Sequence, residues 1–170
     1  MGKDDAMNAP FMIRPATPDD VVAVQSMLVE VAHWLLSRGV PQWDPQQFDR
    51  SAIASWLDNG VVLLACHDAD PVGTVSITWS DRLWADFPGD AGYVHKLAVR
   101  RAAAGQGVSL RLLKEVEQVV VAHQRHKVRL DCWAGNVALR RFYTQAGFTL
   151  SCVKREHTWH CALFEKVIEP

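Results

Sequence analysis

Two stretches of this 170-residue chain hold residue types that could do chemistry. In "LAVRRAAAGQGVSLRLL", residues 97–113, an apolar strand pattern passes through two arginines and three alanines into Gly105, Gln106 and Gly107, and then into helical spacing. A strand, a glycine-rich turn and a helix N-terminus bring several backbone N–H groups and the positive end of a helix dipole to one point, which makes an anion site. Gly105 and Gly107 let the backbone approach a ligand without a Cβ in the way, and Ser109 adds a hydroxyl in the first turn. The pattern is neither the GxxxxGK[ST] of a P-loop nor the GxGxxG of a dinucleotide fold. Taken alone, it also describes a tight turn between a strand and a helix packed close together. Just upstream, "YVHKLAV" carries His95, whose residue type titrates near neutrality and suits a base or proton relay. Strand alternation predicts Tyr93, His95, Leu97 and Val99 on one face, with Val94, Lys96 and Ala98 on the other.

The elements that must position these groups follow from hydrophobic spacing. "FMIRPA" predicts a short strand, and Thr17, Pro18 and Asp20 then read as cap, first turn and capping partner of a helix. Val21, Val24, Leu28, Val31 and Leu35 form its buried stripe, and Gly39 can end it. After the Pro-broken "VPQWDPQQF", Phe48, Ile53, Ala54 and Leu57 predict a second short helix. "VVLLACH", "VGTVSITWS" and "YVHKLAV" predict strands, the last preceded by a loop of about twelve residues, long for a hairpin. A long helix is expected over 105–126, a strand at "KVRLDCW", a helix over 136–146 closed by Gly147, and two antiparallel strands in "FTLSCVKR" and "HTWHCALFEKV". Strands joined by helical crossovers predict an α/β or α+β domain with a mixed sheet.

Composition bounds the function. With 49% hydrophobic and 22% charged residues, residues 11–170 are expected to form one domain, and the polar residues 1–10 a disordered segment. A net charge of -1 offers no general field for nucleic acid or an anionic membrane, so neither is an expected partner. No apolar run approaches the ~20 residues that span a bilayer, so no membrane span is expected. Cys66, Cys132, Cys152 and Cys161 lie apart, with no CxxC pair and no signal segment, which predicts a reduced, cytoplasmic protein. "HTWH" offers His157 and His160 without a third ligand, so no metal is expected.

"LAVRRAAAGQGVSLRLL" followed by "RLDCWAGNVALRRFYTQAGF" resembles the two signature segments of the GNAT superfamily, the Gcn5-related N-acetyltransferases. The resemblance implies a GNAT fold: a central mixed, mainly antiparallel sheet flanked by about four helices. It implies acetyl-CoA as co-substrate, with its pyrophosphate on the turn Ala104, Gly105, Gln106, Gly107, Val108 and Ser109. The family's (Q/R)xxGx(G/A) pattern places Arg or Gln where this chain has Ala104, and Gly or Ala where it has Ser109. The missing side chain removes a charge-assisted contact of ~1.5 to 3 kcal/mol, which Arg100 or Arg101 could supply. The strand residues Leu97, Ala98 and Val99 would line the thioester through their backbone, with the Val99 N–H polarising its carbonyl. "NVALRRFYTQAGF" is similar to the family's Nxxxxx(F/Y)YxxxGF helix, which implies Asn136 near the pantetheine arm and the Tyr143 hydroxyl as proton donor to the departing thiolate. Leu139 and Phe142 join this cofactor-binding set, one of Phe142 and Tyr143 being core. His95 also resembles the "HxLAV" strand of the arylalkylamine branch, which implies a role in deprotonating the amine; the alternative is a half-buried His bonded to a neighbour. Arg125 or Lys127 could reach a ribose phosphate. Cys132, in "RLDCW" with no adjacent His, reads as a buried small residue rather than an acyl carrier.

In this fold the acceptor side is walled by "HWLLSRGVPQW" and "SDRLWADFPGD". Trp34, Trp43, Trp84 and Tyr93, with Asp44, Asp81, Asp86 and Asp90 nearby, would suit a cation with an apolar body; the alternative is that several of the seven tryptophans are core and the loop aspartates solvated. The expected reaction is direct acetyl transfer to a primary amine, with a small molecule favoured. A protein N-terminus or lysine, and a non-catalytic acyl-CoA sensor or scaffold, stay open as alternatives. A homodimer through the last strands is compatible with this fold.

Overall fold

The computed structural model describes residues 11–156 and 159–169. The segment 1–10 and His157 of "HTWH" lie outside the described residues. The strands are β1 (Met12–Pro15), β2 (Val61–His67), β3 (Asp70–Thr78), β4 (Ala91–Val99), β5 (Lys127–Trp133), β6 (Thr149–Glu156) and β7 (Trp159–Val167). The α-helices among the described residues are α1 (Val21–Ser37), α2 (Arg50–Asn59), α3 (Val108–Ala122) and α4 (Val137–Gln145). One sheet runs in the order β1-β2-β3-β4-β5-β7-β6. It is mixed, as predicted: β4 and β5 are parallel, with Ala91 opposite Lys127 and Val94 opposite Leu130. The β1–β2, β5–β7 and β6–β7 pairs are antiparallel.

The chain divides into two compact units, one running to Ser76 and taking in Lys96–Glu115, the other comprising Ile77–His95 and Val116 onward. In the first, Val24, Met27, Leu28, Val31, Ala32 and Leu35 of α1 pack with Phe48, Ile53, Val62, Leu64 and Cys66. Against the expectation from sequence, Pro18–Ser37 is long and apolar enough by composition to cross a bilayer. Its apolar stripe is instead taken up by this core, as in any buried helix. The start of α1 is tied to β1, because both guanidinium nitrogens of Arg14 donate to Asp20, at 2.7 and 2.8 Å. The same carboxylate accepts the Thr17 N–H at 2.7 Å.

The second unit is built round a buried cation. Arg129 is 1% exposed. Its Nε donates to Glu165 at 2.7 Å, and its remaining nitrogens donate to the Phe87 and Pro88 carbonyls, at 2.9 and 3.1 Å, and to the Tyr93 hydroxyl at 3.3 Å. Its guanidinium also lies 4.8 Å from the centre of the Trp84 ring. The loop before β4 is thereby pinned to β5 and β7, and inside it residues 82–84 close a 3-10 turn. Trp84 and Tyr93, expected at the acceptor, are therefore core: they pack with Ala91, Cys161 and Leu163. Arg129 meets the Trp84 ring face and the Tyr93 hydroxyl while its other nitrogens bond the Phe87 and Pro88 carbonyls, which holds this part of the loop inward.

Two further expectations change. The long helix covers 108–122 rather than 105–126, since Gly105 and Gly107 have φ of 79° and 77° and cannot belong to it. At its other end Gln124 turns left-handed at φ 57°, and the Arg125 N–H reaches the Val120 carbonyl at 3.1 Å to close the last turn. In β4 the strict alternation breaks at Lys96, whose φ is 54°. A left-handed residue inside a strand re-aims the side chains on either side. Tyr93 and Val94 are both buried, and Ala98 is buried while Leu97 and Val99 are not.

Replacing Arg129 by Met should cost ~3 to 5 kcal/mol, because the Phe87 and Pro88 carbonyls lose their partner and Glu165 is left with Lys127. A urea midpoint within error of wild type would contradict this. The acid limb is also determined. Hydrogen bonds from Arg14 hold the Asp20 carboxyl well below the usual range, against the opposing effect of burial. Burial raises the Glu165 carboxyl, but bonds from Arg129 and Lys127 more than offset it. Both groups titrate lower folded than unfolded, so their stabilisation is present above ~pH 4 and is lost as pH falls below it. Asp20→Asn should flatten the loss of stability between ~pH 4 and 2, measured by thermal melts at stepped pH.

Candidate active site

The first unit places the glycine turn at the head of α3. Residues 101–103 form a 3-10 turn, after which Ala104 is extended, with φ -65° and ψ 143°. Gly105 and Gly107 are exposed, and a Cβ built on either would meet nothing within 4 Å. The turn therefore faces open space with its backbone uncovered. Val108 is buried beneath it and Ser109 is half-buried in the first turn of α3. The approach of α3 is set by Gly73 of β3, where a Cβ would meet Val108 Cγ1 at 2.8 Å and Leu112 Cδ1 at 3.1 Å.

Of the two arginines that could replace a side chain at Ala104, Arg100 is held through its guanidinium and Arg101 through its backbone and a ring contact. Arg100 donates to Glu30 at 2.9 Å and to the Pro71 carbonyl at 3.0 Å. The Arg101 N–H is held by the other oxygen of Glu30 at 2.8 Å, and its guanidinium lies 3.8 Å from the centre of the Trp34 ring. Gln106 donates back to the Ala102 carbonyl at 3.3 Å. Glu30 of α1 thus organises the strand end before the turn, leaving backbone amides as the groups presented by the turn itself.

The second unit gathers titratable groups around His95. Its Nε2 lies 3.0 Å from the Thr78 hydroxyl and 3.6 Å from Asp81 Oδ2. One donor atom from each of Asp81, His95 and Asp131 falls within 4.8 Å of the others. Asp81 is aimed by its loop, since its side chain also accepts the Leu83 N–H at 2.8 Å. Asp131, in the middle of β5, accepts the Cys161 thiol at 3.3 Å. Three donors this close can share one small cation, and a primary ammonium, with three N–H groups, fits the same need. Sequence reading overlooked Thr78 and Asp131, and placed Asp81 only among the loop aspartates. The available signal was an aspartate standing between the apolar Leu130 and Cys132 of β5.

Tyr143 on α4 is buried against Phe142, Phe148 and Phe164, with ring centres 5.4, 5.9 and 5.8 Å away. Burial, with Cys132 and Asp131 adding, pushes its phenol well above the usual value, so it stays protonated at neutral pH. Burial likewise pushes the Cys132 thiol up to about 12, which removes the thiolate an acyl carrier would need. Asn136 caps α4 by accepting the Leu139 N–H at 3.1 Å. Arg125 donates to the Ala91 carbonyl at 2.8 Å, and Lys127 pairs with Glu165 at 3.3 Å. Of the tryptophans expected at the acceptor, Trp34 stands against Arg101 and Arg38, and Trp43 against Lys96.

A sequence model described as the acetyltransferase (GNAT) family matches residues 28–148. The chain belongs to that family of acetyltransferases. It is 32% identical over 146 residues to the uncharacterized N-acetyltransferase YesJ of Bacillus subtilis (strain 168), covering 81% of each chain. Its structure is similar to a GNAT-family acetyltransferase from Listeria monocytogenes 4b F2365, with TM-score 0.77, 26% identity, and 93% and 95% of the two chains covered. It shares its fold with YncA of Salmonella typhimurium, solved with its cofactor acetyl-CoA, at TM-score 0.74 and 17% identity over 95% of each chain.

Because Arg100 is committed to Glu30, Arg100→Ala should lower stability by ~1 kcal/mol or less while changing the acetyl-CoA dissociation constant under about threefold. Calorimetric titration checks this, and a tenfold loss of affinity would make Arg100 a phosphate ligand.

Proposed function

We propose that this chain is an acetyl-CoA-dependent N-acetyltransferase that moves the acetyl group directly to the primary amine of a small molecule. The observation that carries this reading is the cluster of Asp81, His95 and Asp131 on a chain of this family. An ammonium acceptor is attracted by the two carboxylates, and His95 takes its proton, with Thr78 and Asp81 beside Nε2 to orient the ring. The freed nitrogen lone pair forms the new N–C bond at the thioester carbonyl. The C–S bond breaks, and the Tyr143 phenol gives its proton to the thiolate that leaves. The open turn at Gly105 and Gly107 supports a pyrophosphate held by backbone amides and the α3 dipole. Leu97, Ala98 and Val99 follow His95 on the same strand and would present the thioester its backbone N–H. Asn136, Leu139 and Phe142 are carried on or beside the helix of Tyr143. The four free thiols suit a reducing cytoplasm, where acetyl-CoA is made.

The test is release of CoA thiol across a panel of small primary amines. His95→Gln should lower kcat/KM by ~100 to 10,000-fold with acetyl-CoA affinity unchanged, and Tyr143→Phe should lower kcat with little change in KM. Binding of acetyl-CoA without thiol release for any amine would favour a sensor. Transfer to peptides but to no small amine would move the acceptor class to proteins.

A further inference from the structure

The acceptor side was expected to use aromatics on a cation, and in the first unit such a site exists with its cation already in place. Lys96 Nζ lies 5.6 Å from the ring centre of Trp43, 5.3 Å from Phe48 and 5.9 Å from Trp56. All three distances fall inside the ~6 Å reach of cation–π attraction. The rings brace one another: Phe48 meets Trp43 edge to face at 5.6 Å and 87°, and Trp56 at 6.4 Å and 82°. Phe48 is 1% exposed, so the ammonium is partly withdrawn from water on that side.

A second observation is independent of the rings. Lys96 holds φ 54° inside a strand, a conformation that disfavours any side chain with a Cβ and that glycine adopts freely. A lysine kept at such a position is tolerated only where surrounding structure over-determines it. The segment that supplies the rings is itself rigidly set. Asp44 caps the turn at 45–47 by accepting the Gln46 N–H at 2.9 Å, and Asp49 caps α2 by accepting the Ala52 N–H at 2.8 Å.

We propose that Trp43, Phe48 and Trp56 form an ammonium-binding site whose resident ligand is the chain's own Lys96, and that this tethered cation fastens the connection between α1 and α2 to β4. Lys96 is a positioning residue in this proposal, acting through the rings it touches. With its side chain gone, the site takes a small alkylammonium ion from solution. The consequence for catalysis rests on the function proposed above, whereas the binding site does not.

The experiment uses Lys96→Gly, which suits the left-handed backbone and so adds no strain, with Lys96→Met alongside it to separate the charge from the apolar stem. Tetramethylammonium chloride, with sodium chloride at equal ionic strength as control, is titrated while melting temperature and tryptophan fluorescence are recorded. The expected result is a lowered melting temperature that tetramethylammonium, and not sodium, raises by several degrees, with no such response in wild type or in Lys96→Gly carrying Trp43→Ala. Lys96→Arg should melt near wild type, and Lys96→Met, which keeps the apolar stem without the charge, below it. No difference between the two salts, or Lys96→Met melting with wild type, would overturn the proposal. If amine acetylation is measurable, Lys96→Gly should raise KM for the amine more than it lowers kcat, with acetyl-CoA affinity unchanged. Loss of kcat alone would overturn the positioning role while leaving the binding result readable on its own.

Discussion

The buried guanidinium of Arg129 is the constraint on which the second unit depends. Burying a cation is unfavourable unless it is paired and hydrogen-bonded, and here Glu165, two carbonyls and a phenol do both. Those carbonyls belong to Phe87 and Pro88, in the loop whose beginning carries Asp81. A loop of this length would ordinarily be mobile. Pinned at one end by Arg129 and closed at the other by the Asp81 cap on Leu83, it holds a carboxylate 3.6 Å from His95. The order of the candidate base thus comes from a residue that is itself far from the chemistry in type and burial.

The first unit uses charge differently. Glu30 receives both the Arg100 guanidinium and the Arg101 N–H, so one carboxylate on α1 sets the strand end that leads into the glycine turn. Arg101 and Lys96 are then laid against Trp34 and the Trp43 group. In both units the chain lays its own cations against several of its tryptophans. Aromatic residues in loops near an active site are therefore not automatically a wall for a cationic substrate, since an internal Lys or Arg reaches them at no translational entropy cost.

The lack of Arg or Gln at position 104 has a clear structural context. The Arg100 guanidinium is already held by Glu30 and the Pro71 carbonyl, that of Arg101 stands against the Trp34 ring, and the turn itself presents uncovered backbone. Backbone amides at a helix N-terminus are fixed donors with no rotamers to freeze, which suits them to hold a phosphate without a charged side chain.

Apolar runs, helical spacing and the capping and turn residues between them were enough to locate the strands and α-helices to within a few residues, because these signals are local. The strand, glycine turn and helix start were readable from local order along the chain, whereas the roles expected of Asn136 and Tyr143 came from the resemblance to a family. What periodicity could not carry was anything settled by non-local pairing. The break at Lys96, the inward turn of Trp84 and Tyr93, and the company of Asp81, Thr78 and Asp131 around His95 all depend on residues tens of positions apart. Local propensity determines which elements form and in what order; only the packed structure decides which charges meet, because a charge goes where a partner can replace its water.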